Sequence, residues 1–466
     1  MKRRGTVLFA IILISGVGVV PFAASARAGE PVHWPQWRGP DGNGTTRALG
    51  LPSTWSESKN IVWKVPLPSW SAATPVIWGE RIFVISPESV SQSSGNTARR
   101  SPEQEGNGSD GRGQRAFESP GGDRLNLLCL AKNDGRVLWT GDLGDGNRFD
   151  PGRRHNMCTP SPVTDGRYVW ALTATGVLAA FDMAGRRVWR RNLIEEYGPF
   201  GQMFTYGSSP LLVDDRIIVE VIHGTHAQSP SYVLAVDKRT GKNIWKVDRA
   251  TTALQSARDA YTTPTLMRYP DRQEILISGA NYVSAHDIAT GRQIWQANVL
   301  NPTQTSRFRL ISSPVVYEDM IFVSGRRSPL TALRSGGSGD VTHTHVDWSH
   351  RRGTDAPTPV CDGHYLYVVE DAGRAMCIDV KTGQDLWPES TRLLRGTYWA
   401  SPLLADGRLY ATNQTGTTTV LTAGPAFQVL ATNQLDDDYV LASFAVSENR
   451  LYLRGSQHLY CIGHQP

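Results

Sequence analysis

The chain has 466 residues, 40% hydrophobic and 20% charged, with 48 basic against 43 acidic side chains. Four of the basic residues (Lys2, Arg3, Arg4 and Arg27) and no acidic one fall in residues 1–28, so the rest of the chain is nearly balanced at 44 against 43. The basic balance is therefore no argument for a nucleic-acid partner, and no basic-aromatic module supplies one.

Met1–Ala28 has the parts of a secretory signal: a basic start at Lys2–Arg4, an apolar run over Val7–Val20, and Ala26-Arg27-Ala28 as a small-residue cleavage site. The run is short for a membrane span and Pro21 ends it, so a cleaved signal and an exported protein, periplasmic or extracellular, are expected. Residues 29–54 form a lead-in segment containing "WPQWRGPDGNG" (34–44). "DGNGT" (41–45) begins like a calcium loop, but Thr46 stands where the loop needs Gly and Pro52 where it needs the closing Glu.

From residue 55 onward the chain repeats itself. A hydroxyl-proline phrase opens each copy: "ATP" 73–75, "PSP" 160–162, "SSP" 208–210, "TTP" 262–264, "SSP" 312–314, "PTP" 357–359 and "ASP" 400–402. An apolar strand, a turn such as "TDGR", a second strand, a third strand and a Trp follow. Trp139, Trp189, Trp245, Trp295, Trp348 and Trp387 are spaced by 50, 56, 50, 53 and 39 residues. In most copies the Trp lies nine or ten positions after a small strand residue: Cys129, Ala180, Ala235, Ala285, Ala332 or Cys377. Short strands with Gly, Asp and Asn turns at this period predict propeller blades.

Seven copies are complete or nearly so, and 441–463 supplies three strands of an eighth before the chain ends. The missing outer strand is predicted at "NIVWKVPL" (60–67), whose Trp63 has no inner strands before it. Pairing the two closes the ring and removes its open edge. The predicted fold is all-β: an eight-bladed propeller over 55–466, with four-stranded antiparallel blades closed by an N-terminal strand. Residues 87–124, rich in Ser, Gly and charge, are expected to be a disordered loop between the second and third strands of the first blade.

The phrase "DKRTGKNIW" (237–245), restated as "DIATGRQIW" (287–295) and "DVKTGQDLW" (379–387), resembles the pyrroloquinoline-quinone-like (PQQ-like) propeller repeat of exported bacterial proteins. The resemblance covers roughly 55–466. The family includes quinoprotein alcohol dehydrogenases and a non-catalytic scaffold of outer-membrane protein assembly. A dehydrogenase of this kind implies PQQ, adjacent cysteines over it, a calcium ion held by Glu, Asn and Asp, and an Asp base. No two of the five cysteines are adjacent, and no haem-attachment motif is present. Cys129, Cys377 and Cys461 take the small strand position, whereas Cys158 and Cys361 sit nearer turns, where a reactive or paired thiol is the alternative.

Two histidine groups invite a metal reading. His343, His345 and His350 in "HTHVDWSH" would share a strand, the competing reading being a solvated outer strand; His223 and His226 lie in a loop. The segments leading into the inner strands are rich in arginine: Arg153 and Arg154, Arg258, Arg307 and Arg309, Arg351 and Arg352, and Arg395. In a propeller they all fall on one face. Either they bridge neighbouring blades through acids such as Asp259 and Asp355, or Arg154, Arg258, Arg309, Arg352 and Arg395 form an anion-binding channel mouth. The sequence thus points to a monomeric, exported, non-catalytic binding or assembly scaffold without catalytic or metal residues. It would have no cofactor, no membrane span, and a protein or small anionic ligand as partner. A PQQ- and calcium-dependent dehydrogenase of an alcohol or sugar is the alternative.

Overall fold

A computed structural model of the chain describes residues 33–89, 122–147, 156–325, 328–389, 391–436 and 439–464. The predicted signal and its cleavage site, Arg153, Arg154 and most of the 87–124 stretch lie outside the described residues.

The strands form eight sheets arranged as the blades of a propeller. Blade 1 runs Val76–Trp78, Arg81–Pro87, Arg124–Ala131 and Val137–Asp145, inner to outer, each antiparallel to the last. The low-complexity stretch therefore joins its second and third strands. The inner strands of blades 2 to 7 begin at Val163, Leu211, Thr265, Val315, Val360 and Leu403. In blade 8, Ala445–Ser447, Arg450–Arg454 and His458–Ile462 are completed by Ile61–Pro66, with Trp63 opposite Cys461. The N-terminal strand closes the ring as its sequence requires. Among the described residues no helix is long and apolar enough to cross a membrane.

Three blades depart from the four-strand pattern. In blade 6 the outer strand is reduced to a single bridge between Ile378 and Asp385. The Asp385 carboxylate accepts the Cys377 and Trp387 N–H groups at 3.3 and 3.2 Å, and Pro388 has no N–H to continue the ladder. Blade 4 gains a fifth strand, Gly339–Asp340, parallel to its outer edge at Trp295 and Gln296. Blade 7 gains Thr45–Thr46, parallel to its inner strand.

The small strand residue and the Trp of one copy face each other. Cys129 pairs with Trp139, Ala180 with Trp189, Ala235 with Trp245, Ala285 with Trp295, Ala332 with Trp348 and Cys461 with Trp63. A bulky residue there would compete with the indole for the same side of the blade. The indole then reaches the next blade. Trp189 Nε1 donates to Lys238 O at 3.0 Å, Trp139 to Met183 O at 3.0 Å, Trp245 to Ile288 O at 3.0 Å and Trp348 to Val380 O at 2.7 Å.

Beneath each of these rings lies the glycine of the next copy's turn. Gly241 has φ +71°, and a Cβ added there would sit 2.7 Å from the Trp189 ring, so only glycine meets both demands. The Asp of the phrase holds the turn from inside: Asp287 Oδ1 accepts Thr290 N and Oγ1 at 2.8 and 2.6 Å, and these bonds keep its carboxyl below the usual range. Apolar clusters fill the gaps between neighbouring blades, one of them joining blades 7, 8 and 1.

Trp295 is the exception. It is fully buried and donates to Glu274 Oε2 of its own blade at 3.1 Å. Blade 5 lacks the Thr-Gly turn on which it would otherwise rest; its longer 335–345 connection runs back along blade 4 instead.

Candidate functional site

The hydroxyl of each opening phrase has one task in every blade. Thr74 N–H donates to Ser161 Oγ, and Ser161 to Ser209, Ser209 to Thr263, Thr263 to Ser313, Ser313 to Thr358, Thr358 to Ser401, Ser401 to Ser443 and Ser443 to Thr74, at 2.8–3.2 Å. The chain of donations passes once around the channel and ends where it began. The Pro that follows in seven of the blades keeps the hydroxyl residue extended, which aims its N–H across the blade boundary rather than into a helical turn.

Above this ring lies a cavity of about 490 Å³. Its wall continues the strands' period of two: the residues two positions before each hydroxyl (Ala72, Thr159, Gly207, Tyr261, Ile311, Ala356, Trp399 and Leu441) form the next tier. Phe204, Arg309, Asp355, Glu370 and Asp371 complete the lining on the face of the incoming loops.

The lead-in segment closes the other end. Trp34 exchanges backbone bonds with Ile77 of blade 1 at 2.9 and 2.8 Å, and Pro35 O accepts Thr164 N of blade 2 at 2.8 Å. Trp37 lines the cavity floor. Arg38 is buried, donating to Thr358 O at 3.0 Å, Asn43 O at 2.6 Å and Pro359 O, all carbonyls. Burial pushes its guanidinium down to about 9. Gly44 O then accepts Leu404 N of blade 7 at 3.0 Å. The segment thus crosses the channel from blades 1 and 2 to blades 6 and 7. Its sequence marked it only as a lead-in.

Of the described arginines expected at an anion site, Arg258, Arg309, Arg352 and Arg395, Arg309 alone lines the cavity. It pairs with Asp355 at 3.5 Å and stacks over Phe204 at 5.3 Å. Arg258 is exposed at the end of the 3-10 helix Gln255–Arg258 and donates to Ala253 O at 3.0 Å. Arg352 lies 3.7 Å from Glu389, which also pairs with Arg351. Arg395 is exposed and does not line the cavity. Of the two acids expected to bridge blades, Asp355 does so, while Asp259 accepts Gly224 N and Thr225 N, both at 3.1 Å, and fastens a loop instead. Among the carboxylates that line the cavity, Asp355 pairs with Arg309 and Glu370 lies 3.8 Å from the buried Arg374.

The histidines are not assembled for a metal. His343 and His345 lie in the turn before the strand Val346–His350, not on it. His223 is buried, its Nδ1 accepting Gly201 N at 3.0 Å, and burial lowers its pKa. Among the described residues no group of three or more His, Cys, Asp or Glu is placed to hold a metal ion. All five cysteines are free and buried; burial pushes Cys361 up to about 12 and Cys158 further, which leaves both thiols protonated and inert. None lines the cavity. Asp355 is held by Arg309, and Asp371 accepts the Ala356 N–H at 3.1 Å. These residues do not fit the cysteine pair and calcium ligands that a quinoprotein dehydrogenase implies.

A sequence profile of the family described as outer membrane protein assembly factor BamB matches residues 53–201, 123–389 and 344–425, most of the chain. The chain belongs to this PQQ-like propeller family. Members it resembles include BamB of Shewanella oneidensis, 24% identical over 213 residues, 44% of this chain and 44% of that protein. BamB of Escherichia coli K12 is 28% identical over 138 residues, 29% of this chain and 33% of that protein. The chain thus spans less than half the length of these two relatives. Among solved structures, BamB from Moraxella catarrhalis superposes with a TM-score of 0.57 at 14% identity, covering 86% of this chain and 96% of that one. The quinohemoprotein alcohol dehydrogenase of Comamonas testosteroni gives 0.64 at 12% identity over 93% of this chain and 81% of its own. Likeness at such identities shows the shared fold of the family and no activity.

Proposed function

We propose that the protein is an exported, non-catalytic propeller that serves as a scaffold in the assembly of outer-membrane proteins and works by binding a protein partner. The family match across the blades carries this reading. The site supports it, because the side chains that repeat are spent on ring closure and blade docking, and the cavity lacks the donor set for quinone chemistry. The rim offers contact surface: Val137, Leu138, Val188, Ile244, Val429 and Leu430 are exposed large apolar side chains on the outer strands of blades 1, 2, 3 and 7.

The test is affinity capture of the tagged protein from crosslinked native envelopes. Proteins of outer-membrane assembly should be enriched over capture with an unrelated propeller. Equal recovery from both would overturn the proposal.

A further inference from the structure

We infer that the junction of blades 5 and 6 binds a phosphate group, free or as a monoester, where Arg351, Arg352 and Arg374 converge on one carboxylate oxygen. The inference is independent of the scaffold role. Arg351 and Arg352 follow the outer strand of blade 5, Val346–His350, and Arg374 stands in the turn between Tyr365–Val369 and Ala375–Asp379 of blade 6. Glu389 comes from the segment after Trp387. Its Oε1 accepts a hydrogen bond from Arg351 Nη2 and lies 3.7 Å from Arg352 Nη2 and 3.9 Å from Arg374 Nη2. The Arg351 hydrogen bond, and then the charges of Arg351, Arg374 and Arg352, hold the Glu389 carboxyl below the usual range.

Charge is balanced at this junction, but hydrogen-bond donors are not. Glu370 and Asp385 also act on Arg374, so the site is no bare positive patch; it lacks acceptors within hydrogen-bond reach. Arg374 is only 4% exposed, yet its Nε has no hydrogen-bond partner among the described residues, and Glu370 Oε1 stands 3.8 Å from it. Arg352 Nε is buried without a partner as well. A buried guanidinium held only at ion-pair distance keeps the desolvation cost of its N–H groups. Those groups call for an acceptor between them, and Glu389 Oε1 marks the place, at ion-pair distance from all three arginines. The Glu389 side chain is 62% exposed, so it can turn outward and admit a ligand. An incoming carboxylate would bring no more charge and no more oxygens than Glu389 itself. A phosphate monoester carries about −1.5 to −2 charges at pH 7 and three acceptor oxygens, so it gains over Glu389 on both counts. Guanidinium forks match such oxygens in pairs.

The experiment is isothermal titration of the purified chain with inorganic phosphate and with acetate. Phosphate should bind at least about tenfold more tightly than acetate and weaken with added salt. Glu389→Gln removes the competing carboxylate and should tighten phosphate binding about tenfold. Arg351→Gln and Arg352→Gln should each weaken it about tenfold while the melting temperature holds. Two arginine variants guard against one that fails to fold. Arg307→Gln, at an exposed arginine in the loop before blade 5, should change nothing, which separates this site from diffuse surface charge. Flotation with phosphatidylcholine vesicles, with and without phosphatidic acid, tells a lipid-borne phosphate from a soluble one. The inference is overturned if phosphate does not bind, if acetate binds as well, or if Glu389→Gln fails to tighten binding. It is equally overturned if the folded Arg351 and Arg352 variants keep the wild-type affinity, or if Arg307→Gln weakens binding as much as they do.

Discussion

The N–H of Ser443 donates to Oγ1 of Thr74 at 3.2 Å, joining the last blade to the first. The two residues lie 369 positions apart, yet the contact is the same one that joins Thr74 to Ser161 and every pair between. A propeller must be held shut at the seam between its ends. Here the seam has this hydroxyl bond at the channel, the Trp63 strand at the rim, and two cations between. Arg454 donates to Ile85 O and Ser69 O at 2.7 Å each, and Lys132 lies 3.1 Å from both Glu80 and Glu448.

Thr74→Val keeps the shape but removes the acceptor and leaves the buried Ser443 N–H unpaired. A loss of about 1–3 kcal/mol is expected in urea unfolding, because an orphaned buried donor costs its full desolvation. Thr74→Ser, which keeps the hydroxyl, should cost less than half as much. Equal losses would mean that the methyl group, not the hydrogen bond, matters.

Gly241→Ala should cost about 2–4 kcal/mol, from a left-handed backbone and from collision with the Trp189 indole. The two causes separate in a double-mutant cycle. With Trp189→Ala already in place the collision is gone, and Gly241→Ala should cost only its backbone strain, about 1–2 kcal/mol. Strictly additive unfolding energies would show that the glycine does not serve the neighbouring blade's Trp.

Glu220 is buried between blades 3 and 4. Its Oε1 accepts Thr262 Oγ1 at 2.8 Å, while Oε2 has no hydrogen-bond partner. Burial pushes the carboxyl up to about 8, against a smaller lowering by Thr262 and by Arg249. The folded protein holds this proton where the unfolded chain releases it at about 4.3, so the contribution is fully present below that pH. Stability should fall as pH rises from about 5 to 8, by at most about 1.4 kcal/mol per unit. Glu220→Gln should flatten that slope in denaturation series at pH 5.5, 7 and 8.5; an unchanged slope would mean the carboxyl is ionised in the folded protein.

Strand periodicity and the Trp spacing made the blades legible, and the lone "NIVWKVPL" strand made the closure legible, because both follow from burying one face of every sheet. The hydroxyl of the opening phrase was visible as a repeat but not as a ring, since its partner lies one blade away. The arginine pattern does not fix where those side chains lie, for a physical reason. A fixed offset from the Pro sets side-chain direction only along a regular strand, and the incoming loops are irregular: Arg258 ends a 3-10 helix, while Arg309 sits in an extended loop against Phe204. The carboxylates that line the cavity come from Asp355 in a loop and from Glu370 and Asp371 just past the end of a strand, positions that no repeat phrase marks.

The direct test of a non-catalytic propeller is to load the purified protein with PQQ and calcium, remove the excess by gel filtration, and assay dye reduction with a panel of alcohols and sugars. The scaffold should emerge without the quinone's absorbance and reduce no dye above the buffer blank. Stoichiometric retention of the quinone with substrate-dependent dye reduction would contradict it and place the protein among the dehydrogenases.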